Sequence, residues 1–97
     1  MIPLRARQGT RLTLLTRAYC HLCDTMRDAL LPLARAHGAI VVECDVDADP
    51  ALETTYGDRV PVLLQGDAEA GIVLCHYHLD RARVISALSA GLDSRLD

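Results

Sequence analysis

The stretch Leu12-Thr13-Leu14-Leu15-Thr16-Arg17-Ala18-Tyr19-Cys20-His21-Leu22-Cys23 runs from an apolar, threonine-containing segment straight into two cysteines three positions apart. A short apolar run of this kind reads as a buried strand. Over residues 21–37 the apolar positions Leu22, Met26, Ala29, Leu30, Leu33 and Ala34 fall at helical spacing, and Gly38 is a suitable terminator. The cysteine pair therefore sits at a strand-to-helix junction. Pro32 lies inside the helical pattern, where it removes a backbone donor and crowds the carbonyl four residues back. The expectation is a kink near Asp28 or an early helix end.

Downstream, residues 40–46 (IVVECDV) are β-branched and mostly apolar, a second strand. Asp49-Pro50 offers a helix cap and a first-turn proline, with Gly57 as the stop of a short helix. Residues 60–65 and 72–77 read as two further strands joined through GDAEAG as a hairpin. Asp80 caps a last helix whose apolar face is Val84, Ile85 and Leu88, with Leu79 stapled to Val84 and Gly91 ending it. The order is β-α-β-α-β-β-α. Two crossover helices are expected to make the first three strands parallel and the hairpin to make the fourth antiparallel, in one four-stranded mixed sheet flanked by helices on both faces.

A chain of 97 residues, 51% hydrophobic, is enough for one core and too short for two, so residues 1–97 read as a single domain in which 1–10 are an N-terminal extension. No run of 18 apolar residues is present and MIPLRARQGT lacks the apolar stretch of a signal peptide, so a cytoplasmic protein that does not enter membranes is expected. Charge is uneven: residues 1–37 carry +4 and residues 38–97 carry −7, giving the net −3. With no lysine, no basic cluster and three tyrosines as the whole aromatic content, the composition argues against nucleic-acid partners.

In a reducing compartment a close CxxC pair is catalytic or metal-binding rather than a permanent staple. Thiol chemistry needs the thiolate, so the ordinary thiol pKa of ~8.5 must be lowered. At the start of a helix, unpaired N–H groups and the helix dipole favour negative charge on Cys20. Arg17 and His21 stand close enough in sequence to add positive charge or a hydrogen bond, although Arg17 reads equally as an ordinary solvated charge. Asp24 is an acidic neighbour that offsets the shift. Cys23, one turn on, is placed to attack a mixed disulfide on Cys20, so Cys20 is the nucleophile and Cys23 the resolving thiol. Cys44 and Cys75 lie within strands and read as buried small hydrophobes. Two other readings use the same residues: a zinc site of Cys20, Cys23 and His76 or His78, and a redox-inactive docking module.

Together, LTLLTR leading into CHLC, the VDADP second crossover and Val60-Pro61 in RVPVL resemble the thioredoxin superfamily, specifically the small glutaredoxin-like proteins of bacteria, over residues 11–92. The resemblance implies a thioredoxin-like fold, a cis peptide at Val60–Pro61 facing the CxxC, and no built-in metal or organic cofactor. It implies a monomeric oxidoreductase that reduces protein or glutathione mixed disulfides, with glutathione as co-substrate or a reductase as electron donor. On that pattern Arg17 meets the glycyl carboxylate of glutathione, the Val60 backbone its cysteinyl unit and Asp80 its γ-glutamyl end. The departures are Ala18 for the usual proline, CHLC for CPYC, Arg59 for a threonine, and HYHLD in place of a glycine pair before the last helix. Redox chemistry is thus better supported than glutathione specificity.

Overall fold

The computed structural model describes residues 10–96, and side chains over residues 10–89. The extension assigned to residues 1–10 lies, except for Thr10, outside the described residues. The elements are β1 (Arg11–Thr16), α1 (His21–Ala36), β2 (Ile40–Asp45), a single 3-10 turn (Val46–Ala48), α2 (Pro50–Tyr56), β3 (Val62–Gln65), β4 (Ile72–His76) and α3 (Arg81–Leu96). The sheet order is β2-β1-β3-β4.

β1 is central and its residues Leu12 to Thr16 are all buried, as an apolar run covered on both faces requires. Alternation then divides the core. Leu12 and Leu14 join Leu63, Leu74, the α1 residues Met26, Leu30, Leu33 and Ala34, and Val84 and Leu88 of α3. Leu15 joins Val62, Leu64 and Val46, with Leu52 and Tyr56 of α2 packed against them. So α1 and α3 cover one face and α2 the other. Thr13, buried among these, donates its hydroxyl to the Gly66 carbonyl at 2.6 Å, which removes the cost of burying it.

One expectation about direction is corrected. β1 and β2 are parallel, but β3 is antiparallel to β1 and β4 antiparallel to β3. A six-residue strand spans about 20 Å, whereas the seven residues of α2 rise only about 10 Å. Such a helix cannot return the chain to the other end of the sheet, so β3 enters where β2 leaves.

Local chemistry accounts for the helix ends. Asp49 accepts from the N–H groups of Ala51 and Leu52, with Pro50 in the first turn of α2. α1 closes in a Schellman motif: Gly38 at φ 67° lets its own N–H reach Arg35 and that of Ala39 reach Ala34. Pro32 does not end α1 early. It and Asp28 lie on the exposed face, where water can satisfy the freed carbonyl, and the helix continues to Ala36. Gly91 does not end α3 either: an internal glycine costs only ~1 kcal/mol relative to alanine, and the helix runs through it to Leu96. The buried stripe of α1 is Cys23, Met26, Leu30, Leu33 and Ala34, while Leu22 and Ala29, expected in it, are exposed.

Two predictions test this packing. Leu14→Ala, at a fully buried position in the central strand, is expected to lower stability by ~2–5 kcal/mol in urea denaturation with the denaturant slope unchanged; a loss under ~1 kcal/mol would contradict a close-packed site. In the β3–β4 turn, the N–H groups of Ala70 and then Glu69 hold the Asp67 carboxyl below its usual value. Because the folded-state value is depressed, this stabilisation is present above the unfolded value of ~3.9 and is lost as pH falls through the folded one. Asp67→Ala should abolish that part of the acid dependence in melts across this window.

Candidate active site

The register brings three chain segments to one end of the sheet: β1 ends beside the start of β3, where Leu15 pairs with Val62, and Val62 pairs with His76 at the end of β4. From Thr16 the chain turns through Tyr19, a non-glycine residue at φ 60° with its ring fully exposed, into Cys20. Cys20 has extended backbone angles, φ −115° and ψ 104°, and is the N-cap of α1. Its Sγ accepts the Cys23 N–H at 3.2 Å, the place usually filled by a serine or aspartate oxygen. Cys20 and Cys23 form a disulfide, with Cα atoms 5.2 Å apart. The two sulfurs are not equivalent, since Cys23 is 1% exposed within the buried stripe of α1 while Cys20 is partly exposed.

Arg17, expected beside Cys20 or open to a ligand, is committed elsewhere. Its Nε and Nη2 donate to Asp47 at 3.2 and 2.9 Å, Nη2 also to Glu53 at 3.3 Å, and Nη1 to the Gly57 carbonyl at 3.0 Å. The Asp47 hydrogen bonds, ahead of Glu53, hold its pKa above the ordinary guanidinium value. Of its five N–H donors one, on Nη1, has no partner among the described residues. Gly57 is packed under Glu53, where a Cβ would lie 2.5 Å from the Glu53 carbonyl oxygen, so a side chain at this position would force a shift.

The Val60–Pro61 peptide is cis. Pro61 is buried and its carbonyl accepts the Tyr77 N–H at 2.9 Å, while the Val60 backbone stands outside the ladder, which begins at Val62. Tyr77 also donates its hydroxyl to the Asp58 carbonyl at 2.8 Å. It occupies a γ-turn, with φ 65° and the His78 N–H bonded to the His76 carbonyl at 2.7 Å. The positive φ that a glycine ordinarily supplies is here carried by a tyrosine. Segment 57–61 is thus held by both Arg17 and Tyr77. Sequence reading missed Asp47, Glu53 and Tyr77 in these roles. One signal was available for Asp47: in DVDADP, residues 45–50, Asp45 and Asp49 each serve as a cap, which leaves Asp47 for a charge partner.

Asp80 is the N-cap of α3, accepting the Arg83 N–H at 3.0 Å, and is otherwise exposed. His21 is exposed with no side-chain hydrogen bond among the described residues. Cys44 and Cys75 are half-buried rather than buried, each packed at the margin of one core cluster, and burial pushes the Cys75 thiol up. No group of three or more His, Cys, Asp or Glu among the described residues is arranged to hold a metal ion. No described helix is long and apolar enough to cross a membrane.

Comparison with known proteins agrees with this geometry. Residues 11–89 match the family described as glutaredoxin-like domain (DUF836). Uncharacterized proteins of Mycobacterium bovis and Mycobacterium tuberculosis are 33% identical over 89 residues, covering 86% of this chain and 92% of theirs. Among solved structures, protein Ne2328 from Nitrosomonas europaea is similar at a TM-score of 0.71 and 30% identity, over 81% of this chain and 91% of that one. Protein XcR50 from X. campestris is 38% identical at a TM-score of 0.58, over 81% and 96% of the respective chains. Thioredoxin 1 from Thermosipho africanus, at 16% identity and a TM-score of 0.64 over 90% of this chain and 99% of that one, shares the fold. With its paired cysteines following the central strand and a cis-proline immediately before the neighbouring strand at the same end of the sheet, the chain belongs to the glutaredoxin-like domain (DUF836) family and has the thioredoxin-like fold.

Proposed function

We propose that the protein is a thiol-disulfide oxidoreductase that reduces protein or glutathione mixed disulfides. The observation that supports this reading best is the asymmetry of the sulfurs: an accessible one at a helix N-cap, accepting a helix N–H, and a buried one a single turn away in disulfide with it. Backbone N–H groups and the helix dipole stabilise a thiolate on Cys20 more than on Cys23.

In the reduced protein the Cys20 thiolate attacks one sulfur of a substrate disulfide. A Cys20–substrate disulfide forms, the substrate S–S bond breaks, and the other substrate sulfur leaves as a thiolate that takes up a proton. Cys23 then loses its proton and attacks Cys20 Sγ, forming the Cys20–Cys23 bond and releasing the second substrate thiol. Two electrons have passed to the substrate. An external dithiol, either two glutathione molecules or a reductase, returns them and restores the reduced pair. No resident cofactor enters the cycle. The Val60 backbone, unpaired in the ladder, is the edge on which an extended substrate segment would bond, with Pro61 fixing its direction. His21 lies beside the reacting sulfur in sequence and assists its charge. The expected setting is a cytoplasmic monomer whose partner is the disulfide-bearing substrate.

Two experiments test the roles. With reduced protein at neutral pH, Cys20 is expected to alkylate first and Cys75 slowly, since burial raises the latter's thiol. Cys20→Ser should abolish attack on a disulfide, and Cys23→Ser should accumulate the mixed disulfide on Cys20. A trapped adduct on Cys23 would reverse the assignment.

Glutathione-linked turnover is expected to be weak, because Arg17 has one N–H left for a carboxylate and Tyr77, His78 and Leu79 bring side chains where close backbone approach is needed. Asp80→Ala should lower that turnover by roughly tenfold, the loss of one charge-assisted hydrogen bond, and Arg17→Ala should lower it as well. The check is turnover of a small glutathione mixed disulfide set against reduction by a thioredoxin reductase; reduction by the reductase alone, with both variants silent, would remove glutathione from the cycle.

A further inference from the structure

The N-terminal face of α1 carries Cys20, Asp24 and Arg27, four and then three residues apart, so the three lie along one side of the helix. The Asp24 N–H donates to the Cys20 carbonyl at 3.2 Å, which fixes the carboxylate-bearing residue one turn from the sulfur. An acid in a first helical turn complements the dipole, but the same charge opposes formation of a thiolate beside it. The Asp24 carboxylate is not left alone. Arg27 Nη1 donates to its Oδ1 at 2.8 Å. Arg27 is itself anchored from the sheet, because Nε and Nη2 form a two-pronged contact with Glu43 of β2 at 2.6 and 2.8 Å. Side-chain exposure is 30% for Arg27, 40% for Glu43 and 66% for Asp24, so the arginine is the most enclosed member.

We propose that Arg27, held by Glu43, is a positioning residue for the redox pair: it draws the Asp24 carboxylate along the helix, away from the sulfur, and offsets part of its charge, so that it opposes the Cys20 thiolate less. This rests on the oxidoreductase reading above and assigns a device that tunes it. The other ionisable groups at this end of the sheet are committed or separate. Arg17 is paired with Asp47 and Glu53, Arg59 lies 3.8 Å from Asp58, and Asp80 caps α3. His21, His76 and His78 are exposed, and none of these groups pairs with Asp24 or Arg27 among the described residues.

The size of the effect follows from Coulomb's law. A unit charge about 6 Å from the sulfur in a water-like dielectric amounts to ~0.5 of a pH unit. The experiment is the pH dependence of Cys20 alkylation by iodoacetamide in the reduced full chain. Circular dichroism and melting serve as folding controls. In about 0.02 M salt, Arg27→Gln is expected to raise the midpoint by ~0.5 unit, and the shift should shrink strongly in about 1 M salt. In an Asp24→Asn background Arg27→Gln should raise the midpoint less, because only the direct field of the more distant guanidinium is then lost. Asp24→Asn alone should lower the midpoint by less than it does in the Arg27→Gln background, since the paired carboxylate is held further from the sulfur, and Arg27→Lys should restore part of the wild-type value. An equal shift with and without Asp24, or no shift in either background, overturns the proposal. Should Arg27→Gln fail to fold, a downward shift of the full ~0.5 unit in Asp24→Asn alone would overturn it by showing a carboxylate that is not held away from the sulfur. A wild-type Cys20 that titrates at the ordinary thiol value would instead overturn the oxidoreductase reading, while a depressed value unmoved by these variants would sink the Arg27 role alone.

Discussion

The shortness of the second crossover is the constraint on which the site depends. Cys20 follows the C-terminal end of β1, and Pro61 precedes the N-terminal end of β3. If β3 ran parallel to β1, those two points would lie at opposite ends of the sheet, about 20 Å apart. Because α2 has seven residues and cannot span the sheet, β3 runs back, and its first residue Val62 pairs with Leu15 immediately before the cysteine turn. The hairpin into β4 then returns the chain to the same end at His76. Three loops converge on one disulfide as a consequence of one helix being too short to do otherwise.

Core packing and sulfur chemistry share a residue at this junction. Cys23 is buried because it begins the stripe that continues through Met26, Leu30 and Leu33 against the central strand. Cys20 is accessible because it is the cap, the last residue before the helical twist carries side chains onto that stripe. The difference in exposure between the two sulfurs therefore needs no separate device. It follows from where the helix starts, and moving the start by one residue would bury the wrong sulfur or expose both.

Much of this was legible in the sequence, and the exceptions have a common cause. Element order, the caps Asp49 and Asp80, the stop at Gly38, the junction position of the CxxC and the pre-strand proline all rest on local patterns, and all are found. What local patterns leave open is where the chain goes between elements. The direction of β3 required comparing the length of α2 with that of a strand, and periodicity says nothing about that. The apolar stripe of α1 reads from Leu22, since leucine outranks cysteine in hydrophobic pattern, whereas the buried stripe starts at Cys23 and shares Met26, Leu30, Leu33 and Ala34 with the expected one. Arg17 pairs with residues 30, 36 and 40 positions distant, beyond any spacing rule. The half-burial of Cys44 and Cys75 likewise depends on what covers a strand near the sheet margin.

The turn before α3 shows how such long-range contacts can replace a local preference. A left-handed residue at position 77 ordinarily calls for glycine, and tyrosine there carries conformational strain of order 1–3 kcal/mol. That cost is offset by contacts a glycine could not make: the hydroxyl on the Asp58 carbonyl, and the ring set edge-on to His76 with centroids 4.8 Å apart. Arg17 grips the adjacent Gly57 carbonyl. The segment that presents the Val60 backbone is therefore fixed by side chains from the two other loops at the same end of the sheet. A site in which two flanking loops hold the third is suited to a rigid edge beside the sulfur, and it leaves little free hydrogen-bonding capacity at Arg17 for a small charged ligand.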